Sequence, residues 1–181
     1  MHSGDAGRIL GFYSGNAADD DGRRWEEIVA WPDDRLEEVH DFIQWLFPLP
    51  ERSGANPFAP VLDHSTIQKF HDSPELQDKL RTSLKRMLRF YGLSLLEGEP
   101  ITVQRAANFQ ARSRNWITAH NHNHLRITRI LRSLRLLGLD AEAKAFYVCL
   151  SGIYEEEVHR GESRIASRSW QFWSAAAFGD L

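Results

Sequence analysis

The sequence predicts an all-α protein with a single compact domain of about six or seven helices. Three observations point to this fold. Apolar residues recur three and four positions apart in several long windows, no window alternates with a period of two, and no internal repeat is visible. The 181 residues, of which 42% are hydrophobic and 11% aromatic, are enough for one domain with a sizeable core.

The N-terminal residues differ in composition from the rest of the chain. Residues 1–24 are rich in Gly, Asp and Ala, and we expect them to form a tail with one apolar anchor at residues 9–13. Residues 25–181 are expected to form the helical domain.

The first helix of that domain is expected to begin after Pro32, because Asp34 and Glu37 have the spacing of a capping box. Its core face consists of apolar residues at helical spacing, namely Leu36, Val39, Phe42, Ile43 and Leu46. Pro48 is expected to end this helix, since proline cannot continue one.

The next part of the chain contains the clearest helix. Residues 50–62 are expected to form a loop and residues 65–70 a short helix. Ser73 is then a natural N-cap, Pro74 suits the first helical position, and Gly92 is placed to end the helix. Its apolar face consists of Leu76, Leu80, Leu84, Met87, Leu88 and Tyr91.

Four more helices are expected in the C-terminal half. The first lies near residues 103–116, and the second at residues 125–137 is ended by Gly138. Asp140 is placed to cap the third, and Ser163 to open the last.

Charge is distributed unevenly along the chain. Between Pro100 and Leu139 there is no Asp, Glu or Lys. That segment holds seven arginines and three histidines, at Arg105, Arg112, Arg114, Arg126, Arg129, Arg132, Arg135, His120, His122 and His124. The whole chain has 22 basic and 25 acidic residues, so the remainder carries 15 basic residues against 25 acidic ones. This asymmetry predicts either internal pairing or a surface that attracts anions.

Composition excludes several classes of protein. The single cysteine, Cys149, rules out an intrachain disulfide and a cysteine-based zinc finger. The first residues lack the pattern of a signal peptide, and no apolar run approaches the roughly 20 residues of a membrane span. A pI of about 6.2 weakens the case for general nucleic-acid binding. These features predict a soluble, cytoplasmic protein with no transmembrane segment.

Several segments resemble the conserved domain of the opioid growth factor receptor family. Residues 36–48 read Leu-Glu-Glu-Val-His-Asp-Phe-Ile-Gln-Trp-Leu-Phe-Pro, and residues 122–131 read His-Asn-His-Leu-Arg-Ile-Thr-Arg-Ile-Leu. Residues 87–93, Met-Leu-Arg-Phe-Tyr-Gly-Leu, resemble a helix end of the family. An Arg/Asn/Arg pattern of the family resembles Arg105, Asn108 and Arg112. The chain departs from the family at His124, where a small polar residue is expected.

This resemblance implies an all-helical, receptor-like binding domain rather than a known enzyme, and it implies no cofactor. Animal members of the family are described as receptors for an opioid pentapeptide, Met-enkephalin, associated with the nuclear envelope. The resemblance therefore implies a short peptide as partner and allows peripheral association with a membrane. The repeat-bearing tail of animal members is missing, so we expect a microbial relative that consists of the bare domain.

The residues themselves indicate three polar ridges beside core faces, which we expect to enclose a groove. The candidate ligand-binding residues on these ridges are Glu37, His40, Gln44, Arg105, Asn108, Arg112, His122, Asn123, Arg126 and Arg129. Arginine's planar fork suits a carboxylate or phosphate, and amides bond a peptide backbone. A short peptide or small anion is thus the expected ligand. The alternative is a structural network in which Arg126 or Arg129 pairs with Glu37.

Two other functions stay open from the residues alone. An enzyme would use His40 or His122 as general base with Glu37 as the group that orients it, although no known catalytic motif is present. A nucleic-acid-associated protein would instead use the outward arginines, which are Arg114, Arg132 and Arg135.

Two further clusters are expected to have no chemical role. The run that contains His120, His122 and His124 has no acidic neighbour in sequence and lies among arginines, so no metal site is predicted. Cys149 is expected to be a packing thiol, and residues 155–157, Glu-Glu-Glu, a solvated face that pairs at most with Arg132 or Arg135.

Overall fold

The computed structural model describes residues 3–54, 56–161 and 163–179. The predicted tail and loop include residues 1, 2 and 55, which lie outside this described part. The chain forms two compact units. The first unit consists of Met1–Leu84 with Leu136–Gly138, and the second of Lys85–Arg135 with Leu139–Leu181.

The described residues form ten helices and one pair of strands. In chain order these are α1 Ser3–Ser14, α2 Trp25–Val29, α3 Asp33–Glu38, α4 Ile43–Leu46, α5 His64–Asp72, α6 Pro74–Tyr91, β1 Leu93–Leu96, β2 Thr102–Arg105, α7 Phe109–Ser113, α8 His122–Leu136, α9 Asp140–His159 and α10 Ser167–Phe178. The prediction of a mostly helical protein is confirmed, while an all-α fold with six or seven helices is wrong in detail.

The apolar anchor near the N-terminus is part of the core of the first unit. It lies on α1, which packs against α5. The Phe12 ring lies 5.2 Å from that of Trp45, and the Tyr13 ring lies 4.9 Å from that of Phe70. The buried Tyr13 hydroxyl donates to the carbonyl of Leu46, and burial raises the pKa of this tyrosine. The division of the chain at residue 25 stays a prediction.

The predicted helix between Pro32 and Pro48 is two short helices, α3 and α4. Val39 ends α3 in an extended conformation, with φ −90° and ψ 129°. Beyond it, the Asp41 carboxylate accepts a hydrogen bond of 2.9 Å from Nη1 of Arg23. Arg23 also binds Asp19 through Nε at 2.6 Å. We attribute the break to this tertiary contact, which competes with continuation of the helix.

A β-hairpin follows α6 in the second unit, and its second strand lies where the sequence predicts a helix. Strands β1 and β2 are antiparallel, with Leu93 opposite Arg105 and Leu96 opposite Thr102. The predicted helix near residues 103–116 is therefore wrong, because β2 and the short α7 occupy this part of the chain. Neighbouring Thr102 and Val103 are β-branched and favour a strand. With four residues each, the strands are too short to show an alternating pattern.

Glycine sets the ends of both long helices that the sequence predicts most clearly. Gly92 has φ +77°, and a Cβ there would lie 2.8 Å from the Cα of Phe109. Only glycine tolerates this combination, so α6 ends where predicted. Gly138 has φ +91° and follows α8.

The core of the second unit is aromatic. Trp116 donates from Nε1 to the carbonyl of Tyr91 at 3.0 Å, and the two rings lie 5.5 Å apart. Helix α9 packs against both β2 and α10. Among the described residues, no helix combines the length and the apolar character needed to cross a membrane.

Candidate ligand-binding site

One of the predicted polar ridges, with His122, Asn123, Arg126 and Arg129, lies on α8, and part of it is buried. Asn121 accepts from the backbone N–H of Asn123 at 2.9 Å at the start of the helix. The Asn123 side chain is fully buried and Arg126 is 5% exposed. Nη1 of Arg126 donates to Oδ1 of Asn123 at 3.2 Å. His122 and Arg129 are half-buried. Solvent ions thus have little direct access to the Asn123–Arg126 pair.

The second predicted ridge does not exist as one helical face. Arg105 is the last residue of β2, and Asn108 is the exposed N-cap residue of α7. Arg112 is half-buried on α7, where its Nε donates to the carbonyl of Phe90 at 2.9 Å. Its guanidinium also lies 5.1 Å from the centre of the Phe90 ring. Through these contacts with Phe90, Arg112 stabilises the packing of α7 against the end of α6.

The remaining candidates, Glu37, His40 and Gln44, belong to the first compact unit. Glu37 is half-buried on α3 and His40 is exposed after it. Gln44 is 4% exposed on α4 and donates from Nε2 to Ser53 at 3.2 Å. Its Oε1 is buried without a hydrogen-bond donor in the described part of the chain. The groove that these residues were expected to share with the arginines stays a prediction.

The second unit contains a cavity of about 420 Å³, which we name the arginine cavity. Residues of β2, α7, α9 and the segments after α7 and α9 form its wall, namely Arg105, Phe109, Gln110, Ser113, Arg114, Ile117, Ile153, Glu156, Glu157, Arg160 and Arg164. Arg105 alone among these residues belongs to the predicted set. The volume lies within the usual range of small-molecule sites.

Three of the four arginines in the cavity wall form ion pairs with glutamates of the same wall. Arg105 donates to Glu156 at 2.8 Å. Arg164 donates two hydrogen bonds to the Glu157 carboxylate, at 2.8 and 2.9 Å, and Arg160 donates a third at 2.7 Å. The hydrogen bond from Arg164 lowers the pKa of the Glu157 carboxyl. The expected solvated face at residues 155–157 is thus wrong for Glu157, whose side chain is 3% exposed.

Arg114 differs from the other arginines of the cavity. It is the exposed C-cap residue of α7 and has no ion-pair partner within the described residues. Nearby, Phe109 is half-buried and its ring lies 4.8 Å from the guanidinium of Arg105. Ile117 and Ile153 are buried at 3% and 2% exposure. Among the described residues, the cavity therefore combines one guanidinium without an acidic partner, that of Arg114, with three apolar side chains in a largely polar wall.

His124 is a core residue. It is 4% exposed. Nε2 donates to the carbonyl of Trp116 at 2.9 Å, which leaves Nδ1 to accept from the hydroxyl of Ser169 at 3.1 Å. Burial lowers the pKa of His124, although the bond to Trp116 opposes this shift. His120 is exposed with φ +56°.

The structure also places the other residues that were considered. Arg135 donates to the carbonyls of Ala176 and Gly179 at 3.2 and 2.8 Å, so it is not an outward group as the nucleic-acid hypothesis requires. Burial raises the pKa of Cys149 to about 11, which fits a packing thiol. No group of three or more His, Cys, Asp or Glu that could hold a metal ion occurs in the part of the chain that the structure describes.

Sequence reasoning missed most of the arginine cavity. Glu156, Glu157, Arg160 and Arg164 come from about 50 residues after Arg105, and no local spacing connects them. The available signal was charge, since an acid-free cationic segment in an acidic chain predicts pairing with distant carboxylates. The pair between Arg105 and Glu156 is one such contact.

Comparison with known proteins defines the family. Residues 5–176 match the opioid growth factor receptor conserved region, so this chain belongs to that family. The segments at residues 36–48, 87–93 and 122–131 predicted this membership, which is confirmed.

Named relatives match over part of their length. The opioid growth factor receptor of Mus musculus is 46% identical over 118 residues, which are 64% of this chain and 18% of the relative. For the receptor of Homo sapiens the identity is again 46%, over 64% of this chain and 17% of the relative. Opioid growth factor receptor-like protein 1 of Xenopus tropicalis is 41% identical, over 66% of this chain and 23% of the relative. This chain thus matches less than a quarter of these three relatives. No solved structure matches it.

Proposed function

We propose that this chain is a ligand-binding domain that holds a short peptide or another small anion in the arginine cavity. The observation that carries the proposal is Arg114, an exposed guanidinium at a cavity wall with no acidic partner within the described residues. The names of the relatives describe a receptor for a growth factor. A receptor-like role for this chain is part of the proposal.

The chemistry of the cavity supports binding of an anion. A guanidinium forms charge-assisted hydrogen bonds with a carboxylate or a phosphate, and these are about twice as strong as neutral ones. Gln110 and Ser113 add an amide and a hydroxyl to the same wall. At about 420 Å³ the cavity has room for a few residues of a peptide.

The α8 candidates have a different part in this proposal. Burial of Asn123 and Arg126 favours a supporting role, in which they hold the start of α8 in place. Arg105 is the sequence-predicted residue that would contact ligand directly, since its side chain lines the cavity and is 38% exposed.

A thermal-shift screen tests the proposal. The panel contains short peptides with free termini, nucleotides, acetate and inorganic phosphate. A ligand that binds the folded state raises the melting temperature by mass action. We expect Arg114→Gln to abolish the shift without changing the melting temperature of the ligand-free protein. The control is Arg168→Gln, which removes the same charge from an exposed residue outside the cavity wall.

Two results would contradict the proposal. In the first, no member of the panel stabilises the protein. In the second, a ligand stabilises the Arg114→Gln variant as strongly as the unchanged chain, which would place the ligand elsewhere.

A further inference from the structure

We infer that the arginine cavity binds a nucleoside monophosphate, with the phosphate at the arginines and the base beside the aromatic and amide groups of the wall. The inference rests on the proposed function, because it requires an anion in this cavity, and it adds the charge and the chemical class of that anion.

The wall of the cavity carries a formal charge of +2. Its charged residues, among those that the structure describes, are four arginines and two glutamates. A phosphate monoester carries about −1.5 to −2 at neutral pH, whereas a carboxylate carries one negative charge. A phosphate monoester therefore neutralises this wall, and a simple carboxylate leaves it cationic.

The excess positive charge lies in two places on the wall. Arg114, at the end of α7, has no acidic partner within the described residues. Glu157 is a single carboxylate bound by both Arg160 and Arg164. These two arginines are 62% and 53% exposed, so the N–H groups that do not bond Glu157 are open to a ligand. Arg160 also reaches Glu156, at 4.0 Å.

This distribution of charge suits phosphate. A phosphate monoester presents three strong acceptor oxygens around one centre. It can therefore accept hydrogen bonds from guanidinium groups that come from different parts of the wall. Each guanidinium is planar and binds two phosphate oxygens with parallel hydrogen bonds, and clusters of arginines recur where proteins recognise phosphate.

Phe109 and Gln110 give the same wall the groups that bind a base. The Phe109 ring is half-buried in the wall, and aromatic rings of this kind stack on bases. The guanidinium of Arg105 lies 4.8 Å from the centre of that ring, and arginine planes also stack on bases. Gln110 is exposed, and its side-chain amide both donates and accepts, as the edge of a base requires.

The rest of the wall suits a sugar better than an apolar group. The Ser113 hydroxyl donates to the carbonyl of Gln110 at 3.2 Å, so its oxygen keeps the capacity to accept from a ribose hydroxyl. Ile117 and Ile153 line the cavity but are only 3% and 2% exposed, so they offer little apolar surface. The volume of about 420 Å³ lies within the range of small-molecule sites, which favours a single nucleotide over a longer strand.

Isothermal titration calorimetry on the full chain tests this class. The first probes are the four nucleoside 5′-monophosphates. The tightest of them is then compared with its nucleoside, with its phosphate methyl ester, with inorganic phosphate, with acetate and with a tripeptide that has free termini. The methyl ester keeps the base and the sugar but carries only one negative charge.

The monophosphate should bind at least about tenfold more tightly than the methyl ester and the nucleoside. The reason is that a hydrogen bond to a charged group contributes about that factor or more. Inorganic phosphate, which has no base to stack, should be weaker than the monophosphate by about tenfold.

Variants locate the two charges in the wall. Arg114→Gln and Arg160→Gln each remove one of them, and each should weaken the monophosphate at least about tenfold with little effect on the nucleoside. In Arg160→Gln the buried Glu157 keeps two hydrogen bonds from Arg164, so the fold should persist. Arg168→Gln, outside the wall, should leave the affinity unchanged. The ratio between monophosphate and ester is measured on the unchanged chain, so the test holds even if one variant folds poorly.

The outcomes separate failure of the inference from failure of the proposed function. If the ester, acetate, the tripeptide or inorganic phosphate binds as tightly as the monophosphate, the inferred class is wrong while the proposed anion site stands. If no probe binds, and the wider panel of anions also gives no thermal shift, both are wrong.

Discussion

The start of α8 and the arginine cavity draw on the same acid-free stretch of sequence and use its arginines in opposite ways. At the start of α8, Arg126 is 5% exposed and bonded to the buried Asn123. At the cavity, Arg114 is exposed and has no acidic partner within the described residues. Both arginines lie in the second unit, about a dozen residues apart in sequence.

The difference shows that residue type does not decide the role of an arginine here. A buried guanidinium must be satisfied internally, because leaving it unpaired away from water is costly. It then serves the fold. An exposed guanidinium in the wall of a cavity is already solvated and can exchange water for a ligand. Mutation should therefore change stability at α8 and binding at the cavity.

The largest expected effect is at the α8 side of this comparison. Trp173 is fully buried and donates from Nε1 to the carbonyl of His124 at 3.0 Å. Its ring also lies edge to face with the imidazole ring of His124, with the ring centres 5.4 Å apart. Trp173→Ala should lower the free energy of unfolding by about 3–5 kcal/mol. Chemical denaturation measures this loss. Trp170→Ala, at a half-buried ring stacked on Tyr154, should cost clearly less, and an equal loss would contradict the account.

Removal of the amide beside Arg126 should have the next largest effect. Asn123→Ala leaves a buried guanidinium without one acceptor, which should lower the free energy of unfolding by about 1–3 kcal/mol. The matched control is Asn115→Ala, at an exposed residue, with an expected change within about 0.5 kcal/mol. Denaturation curves of both variants measure the two changes in unfolding free energy. Equal losses would mean that burial of Asn123 at α8 does not cause the loss of stability.

At the cavity, Glu157 connects stability to pH. Its pKa lies below the ordinary value of 4.5, so its contribution to stability is present above pH 4.5 and is lost as the pH falls through its pKa in the folded protein. Glu157→Gln should cost about 1 kcal/mol at pH 7, because its arginine partners are partly exposed. The variant should also lose less stability than the unchanged chain between pH 5 and pH 3. Parallel pH profiles would contradict this assignment.

A smaller pH effect is expected at His124. Burial places the pKa of His124 below 6.5. As the pH falls, the unfolded chain therefore binds a proton at a higher pH than the folded protein does. Stability is therefore complete above pH 6.5 and falls as the pH drops below it. His124→Gln should flatten the slope of unfolding free energy between pH 6.5 and pH 5.5. An unchanged slope would show that other groups cause the pH dependence.

Local signals account for what the sequence predicted correctly. Ser73 and Gly92 bound α6, and Gly138 follows α8, because caps and positive φ angles are properties of single positions. The hairpin of β1 and β2 was not predicted, because it lacks such local signals. Strands of four residues carry too few positions to show a period, and the antiparallel pairing that stabilises them is a tertiary contact.

The candidate site shows the same limit. Arg105 was predicted as part of a polar ridge on one helix; that helix does not exist, yet Arg105 lines the cavity from the end of β2. Glu157 was interpreted as a solvated residue from its acidic neighbours, yet Arg160 and Arg164 make it a buried partner. Burial of a charge depends on which distant cation reaches it, and the sequence does not contain that geometry.

Arginine side-chain signals report which guanidinium groups contact a ligand and which ones stay within the fold. The Nε–H groups of the arginines are followed in a proton–nitrogen correlation spectrum, assigned by single Arg→Lys variants, during titrations with short peptides and with inorganic phosphate. We expect the signals of Arg114 and Arg105 to move in a saturable way while those of Arg126 and Arg129 stay in place. Saturable movement at Arg126 or Arg129, with Arg114 unchanged, would contradict this expectation.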